Sequence, residues 1–139
     1  MMRASPTLAS IEIDRRITVA TRENPRMNRD YLISLRKTRP FSFYDGNESD
    51  DLTILIQYVP DRLICDSKQI EEYFYLLVKQ PFSGLEELAN AIADDFSNDL
   101  IPRWISVDLT LSVHGTLHSA HVEDKQPLWN NTALLQRPA

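Results

Sequence analysis

Two stretches of the chain alternate between hydrophobic and polar residues, which is the two-residue period of a β-strand. The first is residues 52–59, whose apolar series is Leu52, Ile54, Ile56 and Tyr58. The second is residues 104–113, with the apolar series Ile105, Val107, Leu109, Leu111 and Val113. One face of each strand is therefore apolar and the other largely polar, as in an antiparallel sheet. Shorter alternating segments at 9–21, 31–37 and 117–123 predict further strands.

The middle of the chain changes to the period of an amphipathic helix. Apolar residues recur at i, i+3, i+4 and i+7, first at Ile70, Tyr73, Phe74 and Leu77, then at Leu85, Leu88, Ala89, Ile92 and Phe96. Pro81 separates the two helices. Asp66 with Gln69, and Ser83 with Glu86, have the spacing of a capping box, so we expect a helix to begin near each pair.

Three stretches are predicted as loops: 23–29, 39–51 and the chain from 123 onward. The order of strands, two consecutive helices and strands predicts an α+β fold, with the helices on one face of an antiparallel sheet. An open sheet of this kind has unpaired edges and an uncovered second face. We therefore expect copies of the chain to assemble edge to edge into a ring-forming homo-oligomer.

Composition narrows the class of protein. A chain of 139 residues fits one domain. Its apolar runs are shorter than the roughly 20 residues that span a bilayer, and the N-terminal residues lack a signal peptide's apolar stretch, so we expect a cytoplasmic protein that binds no membrane. The net charge of −5 disfavours a nucleic-acid partner and suits a small neutral or cationic ligand.

The cysteine and the histidines offer few routes to metal or thiol chemistry. Cys65 is the only cysteine, so one chain forms no disulfide and no zinc site with two or four cysteines. It precedes a helix, where the helix dipole can activate a thiol, but a lone cysteine between apolar neighbours is more often packed and inert. His114, His118 and His121 are clustered, yet on a strand His121 faces away from the other two, so no metal is expected.

Several short motifs occur in an order that resembles one enzyme family. They are NPRMNRDYLI from Asn24, YVPDR at 58–62, DSK at 66–68, the pair Glu86-Glu87, AIADDF at 91–96 and PRW at 102–104. Together they resemble the queuosine-pathway nitrile reductases (the QueF family) of the tunnelling-fold superfamily, which includes GTP cyclohydrolase I. The resemblance divides the chain into an N-terminal extension or strand at 1–23, a QueF-like domain at 24–122 and a C-terminal tail at 123–139.

The resemblance implies a fold and a reaction. The family's subunits have two strands, two helices and two strands, and they form barrel-like rings with ligand sites at subunit interfaces. Its members reduce 7-cyano-7-deazaguanine with NADPH. A cysteine thiolate adds to the nitrile, an aspartate supplies a proton, and a glutamate, assisted by a histidine, binds the guanine-like edge of the base.

Carried over by position, the resemblance keeps two of these groups and loses two. The proton-donating aspartate falls on Asp50 and the base-binding glutamate on Glu86. The nucleophile position is Phe43, whose ring cannot add to a nitrile, and the assisting histidine position is Leu85.

Two further segments correspond to ligand and cofactor contacts. Asp66, Ser67 and Lys68 match a ligand-binding segment in which the family has glutamate at the first position. His114, Gly115 and Thr116 stand where the family has Arg-Gly-Gly, which is similar to a phosphate contact, so NADPH is a possible cofactor whose binding this substitution weakens.

Two main functions remain open. The first is a binding protein that holds a 7-deazaguanine, purine or pterin-like base through Glu86 without nitrile chemistry. The second is an enzyme, either an NADPH-dependent 7-cyano-7-deazaguanine reductase with a relocated thiol at Cys65 or a cyclohydrolase-like catalyst using Asp50 and Glu86 as acid and base. A subunit that completes sites with a competent paralogue is a third reading. Glu86 also has a structural alternative as a helix cap, and Asp50 as part of a solvated acidic turn.

Overall fold

A computed structural model describes residues 17–42 and 48–136 of the chain. The strands are β1 Thr21–Glu23, β2 Ile33–Ser42, β3 Glu48–Val59, β4 Leu63–Cys65, β5 Trp104–Val113 and β6 Thr116–Lys125. The helices are α1 Ile70–Leu77 and α2 Leu85–Leu100, followed by a short 3-10 helix at Thr132–Gln136. No helix in the described ranges is long and apolar enough to cross a bilayer.

The main sheet has four strands in the order β2-β3-β5-β6, and all neighbours are antiparallel. The two strands predicted from strict alternation are the central pair, β3 and β5, whose apolar face packs against the helices. Strands β1 and β4 form a separate two-stranded sheet. The predicted α+β fold is confirmed, and the strands of the main sheet have the expected order of two strands, two helices and two strands.

Strand register defines two ends of the sheet. At one end Leu52 of β3 pairs with Leu111 of β5, which pairs with His118 of β6. This end carries the β5–β6 turn at 114–115, and we call it the hairpin end. At the other end Val59 pairs with Trp104, and we call it the Trp104 end.

Both helices cover one face of the sheet. Side chains from α1, α2 and the inner face of the sheet form a single core, which includes Leu52, Ile54, Ile56, Tyr73, Leu77, Leu88, Ile92, Phe96, Val107 and Leu109. The ring of Tyr73 meets that of Phe96 edge to face at 5.5 Å, and its hydroxyl donates to Asp95 at 2.9 Å. The middle of α1 therefore lies beside the second half of α2.

Two predicted loops are shorter than expected. Strand β2 continues to Ser42 and β3 begins at Glu48, so the predicted loop at 39–51 is wrong for residues 39–42 and 48–51. Residues 43–47 lie outside the described residues. Pro40 is tolerated because β2 is an edge strand, and the register shifts between Pro40 and Ser42. Strand β6 also continues to Lys125, past the predicted start of a loop at 123. Of the predicted strand at 9–21, residues 9–16 lie outside the described residues, and the prediction is wrong for 17–20, because β1 begins only at Thr21.

The C-terminal segment folds back on its own chain. The indole of Trp129 lies 6.5 Å from that of Trp104, and its N–H donates to Oδ2 of Asp30 at 2.9 Å. The side-chain amide of Asn131 donates to the same oxygen at 3.1 Å. These contacts cover one side of the Trp104 end of the sheet.

Candidate functional site

The start of α2 presents two neighbouring glutamates that do different things. Oε1 of Glu87 accepts the backbone N–H of Ser83 at 2.7 Å and its hydroxyl at 3.1 Å. The predicted capping box between Ser83 and Glu86 is therefore wrong. The N-cap residue is Gly84, one position later than expected, and this makes Glu87 the third helical residue that reaches back.

Glu86 is left free of that structural task. Its side chain is 69% exposed, and its Oε2 lies 2.9 Å from Nε2 of His118 on β6. The pKa of Glu86 is lowered, first by a hydrogen bond from its own backbone N–H and then by His118. Because an ionised carboxylate only accepts hydrogen bonds, Nε2 of His118 is the donor in this pair.

Leu85, at the position of the family's assisting histidine, is 1% exposed and belongs to the core. The histidine that contacts Glu86 instead comes from another strand, 32 positions along the chain. Sequence reasoning did not find this contact. The signal available was the parity of β6, which places His118 on the same face as Ala120 and Val122, residues that pack against the core.

Asp50 lies near the same end of the molecule. Its backbone is in β3, two residues before Leu52, and therefore at the hairpin end. From strand spacings its Cα is about 12 Å from that of His118. The side chain of Asp50 and all of Phe43 fall outside the described part of the structure.

His114 and Gly115 form the turn between β5 and β6, also at the hairpin end. Both have positive φ, 51° and 82°, as in the two-residue turn that matches the twist of a hairpin. His114, Gly115 and Thr116 are exposed and contain no permanently charged side chain. By themselves they do not supply a fixed cation for the phosphates of NADPH.

Asp66, Ser67 and Lys68 lie at the opposite end, between β4 and α1. Oδ1 of Asp66 accepts the backbone N–H of Lys68 at 3.0 Å. The N-cap of α1 is Gln69 with no side-chain cap bond, so the predicted cap by Asp66 is wrong. Because α2 alone is about 24 Å long, one chain does not bring this segment together with Glu86.

Cys65 is buried close to Tyr58. Its backbone N–H donates to the hydroxyl of Tyr58 at 2.9 Å, and the residue is 7% exposed. Burial raises the pKa of the thiol to about 11, and the charge of Asp66 adds to the effect. A thiol in this environment is protonated at neutral pH and is a poor nucleophile.

Three motifs that carry the family resemblance meet at the Trp104 end. Arg103, from PRW, donates to Asp30 at 2.8 Å and to Asp61 of YVPDR at 3.3 Å. Asn24 donates its side-chain amide to the backbone carbonyl of Asp61 at 2.7 Å. These hydrogen bonds join loops that are distant in sequence. The three motifs therefore stabilise the fold at this end of the sheet.

The helix-free face of the sheet carries a further polar cluster, which sequence reasoning missed. His121 lies between Asp108 at 2.7 Å from Nδ1 and Glu123 at 3.1 Å from Nε2. Glu123 also accepts the indole N–H of Trp104 at 2.9 Å. Hydrogen bonds to Asp108 and Glu123 raise the pKa of His121. Within residues 17–42 and 48–136, no group of three or more His, Cys, Asp or Glu could hold a metal ion.

Comparison with known proteins gives the family. No model of a protein family matches the chain. An NADPH-dependent 7-cyano-7-deazaguanine reductase from Prochlorococcus marinus (strain NATL2A) is 32% identical over 101 residues, which cover 69% of this chain and 69% of the relative. The chain belongs to the 7-cyano-7-deazaguanine reductase family. Another reductase of this family, from Thermomicrobium roseum, is 32% identical over 116 residues, covering 82% of this chain and 84% of the relative.

Two solved structures share the fold of this reductase-family chain. The apo archaeosine synthase QueF-Like has a TM-score of 0.51 at 17% identity and covers 66% of this chain and 91% of its own. The dihydroneopterin aldolase of Burkholderia thailendensis, solved with guanine bound, has a TM-score of 0.56 at 16% identity and covers 74% and 97%. The expected tunnelling-fold architecture is thereby confirmed for the subunit.

Proposed function

We propose that this member of the reductase family binds a 7-deazaguanine, purine or pterin-like base through the carboxylate of Glu86, and that it does not carry out nitrile reduction. The proposal is supported mainly by the different roles of Glu86 and Glu87 at the start of α2. Glu87 takes the capping role, while Glu86 remains exposed and ionised beside His118.

The chemistry of recognition follows from the carboxylate. A guanine-like edge presents two parallel N–H donors, from the ring and from the exocyclic amino group, and an ionised carboxylate accepts both. The lowered pKa of Glu86 keeps it ionised at neutral pH. A neighbour of the same fold has been solved with guanine bound, which supports a base of this type.

The exposure of Glu86 suggests that the site is shared between subunits. In one chain the carboxylate is at the surface beside β6, an edge strand of the sheet. A second copy would supply the walls that bury a ligand. Assembly is thus part of the proposal, and Asp66, Ser67 and Lys68, remote within one chain, would reach the site only from a neighbouring subunit.

The absence of nitrile chemistry rests on two residues. Phe43, at the nucleophile position, has no group that can form a thioimide, and without that intermediate Asp50 has nothing to protonate. Cys65 does not substitute for it, because it is buried and its pKa is raised to about 11. This argues against the reductase with a relocated thiol.

Calorimetry with guanine, 7-cyano-7-deazaguanine and neopterin tests the binding function. We expect at least one base to bind, and Glu86→Gln to weaken its affinity about tenfold or more, since a hydrogen bond to a charged group is lost. Glu87→Gln is the matched control, with the same charge change one residue away. Absence of heat with every base at millimolar concentration, or equal loss in both variants, would contradict the proposal.

NADPH oxidation in the presence of 7-cyano-7-deazaguanine tests the missing chemistry. The parent chain is expected to be inactive, and activity appearing only in Phe43→Cys would locate the defect at that position. Activity in the parent that disappears in Cys65→Ala would favour the enzyme instead.

A further inference from the structure

We infer that His118 positions the base-binding carboxylate of Glu86. The resemblance assigns this role to position 85, which is Leu85 in this chain. This inference rests on the proposed function. It follows from where the two positions lie in the fold.

Position 85 does not offer a side chain to the site. Leu85 is the first residue of α2 and is 1% exposed, with its side chain in the core between helix and sheet. His118 instead lies on the helix-facing side of β6, three residues into the strand. From there its Nε2 reaches Oε2 of Glu86 at 2.9 Å.

The surroundings of Glu86 leave this role to one side chain. Glu87 is turned toward Ser83, and the amide of Asn90 donates to the backbone carbonyl of Glu86, at 2.9 Å, rather than to its carboxylate. Within the part of the chain that the structure describes, His118 is the one side chain that donates to this carboxylate.

The backbone N–H of Glu86 and Nε2 of His118 both donate to this carboxylate, and the bond from His118 ties it to β6. With Oε2 held by His118, Oε1 lies over Gly84, where even a Cβ atom would come within 3.3 Å of it. An exposed glutamate otherwise samples several rotamers, and fixing it in advance removes that entropic cost from binding. His118 therefore contributes to affinity through Glu86, without contacting the base.

A double-mutant cycle on base binding tests the inference. His118→Ala is expected to weaken binding about fivefold to tenfold in the parent and to have little further effect in the Glu86→Gln background. His118→Gln, whose amide can place a donor near the same point, should recover most of the loss. His121→Ala, on the opposite face of β6, is the matched control and should bind as the parent does.

A second readout does not depend on any ligand. The carboxyl carbon of Glu86, followed by NMR during a pH titration, should titrate at higher pH in His118→Ala than in the parent, and at the parent's pH in His121→Ala. If the parent binds no base but this shift occurs, the proposed function fails while the pairing stands. An unchanged Glu86 titration in His118→Ala, or equal losses of affinity in both Glu86 backgrounds, would overturn the inference.

Discussion

Nη1 of Arg103 lies 2.8 Å from Oδ1 of Asp30, although the two residues are 73 positions apart in the chain. The same guanidinium donates to Asp61 at 3.3 Å and to the backbone carbonyl of Met27. One side chain thus joins the beginning of β5 to the loop after β3 and to the segment before β2. It is 18% exposed, so these charge-assisted bonds are partly shielded from water.

Replacing Arg103 should destabilise the fold more than a surface arginine would. We expect Arg103→Ala to reduce the free energy of unfolding by about 2–3 kcal/mol, because it leaves Asp30 and Asp61 without their shared cation. Arg103→Lys should lose an intermediate amount, since a lysine keeps the charge but not the forked geometry. Urea denaturation followed by circular dichroism gives the measurement. Arg36→Ala, at an exposed position of β2, is the control, and an equal effect of both alanine variants would refute this role.

The cluster around His121 should make stability depend on pH. Because Asp108 and Glu123 raise the folded-state pKa of His121, the protonated ring contributes stability below its ordinary value of about 6.5. That contribution is lost as the pH rises through the raised pKa. The cluster is exposed, so we expect less than about 1 kcal/mol.

The comparison that isolates this effect is between the parent and His121→Gln. The parent should be the more stable of the two at pH 6, and the difference should shrink toward pH 9. Thermal unfolding at a series of pH values provides the data. A difference that stays constant over this range would show that folding does not raise the pKa of the ring.

Cys65 should react slowly with thiol reagents in the folded protein. Its sulfur is buried and its pKa of about 11 leaves little thiolate at pH 8. We expect alkylation by iodoacetamide, followed by mass spectrometry, to be at least tenfold slower in buffer than in concentrated urea. Equal rates would mean that the thiol is accessible, and would reopen its candidacy as a nucleophile.

The two edge strands predict assembly. Strands β2 and β6 each have ten residues and one unpaired edge within the described sheet, and edges of that length tend to pair with another chain. Light scattering on the purified protein should therefore give a multiple of the 16.1 kDa chain mass. A mass of one chain across the micromolar range would contradict the closed ring, and with it the shared site.

Strong periodicity made the centre of the fold predictable. The alternation in β3 and β5 and the helical spacing in α1 and α2 reflect burial, which constrains every second or every third to fourth residue. The sequence of an edge strand is less constrained by burial. The polar segment at Glu48 to Asp51 was predicted as a loop because hydrophobicity does not mark a strand that is paired mainly through its backbone.

The site was predictable only in part, because its residues meet through the fold. The resemblance located Glu86. Whether Glu86 or Glu87 is the capping acid depends on whether the N-cap is Ser83 or Gly84. Sequence does not fix a helix start to one residue. The contact from His118 depends on the packing of an edge strand against α2. The alternation of β6 indicates which face His118 occupies, but not which residue of α2 it contacts.

The docking of Trp129 on Trp104 has a practical consequence, since these are the only tryptophans in the chain. Intrinsic fluorescence excited at the indole band therefore reports on this one pair of indoles. A red shift of the emission before global unfolding would therefore time the detachment of the C-terminal segment, with no label attached.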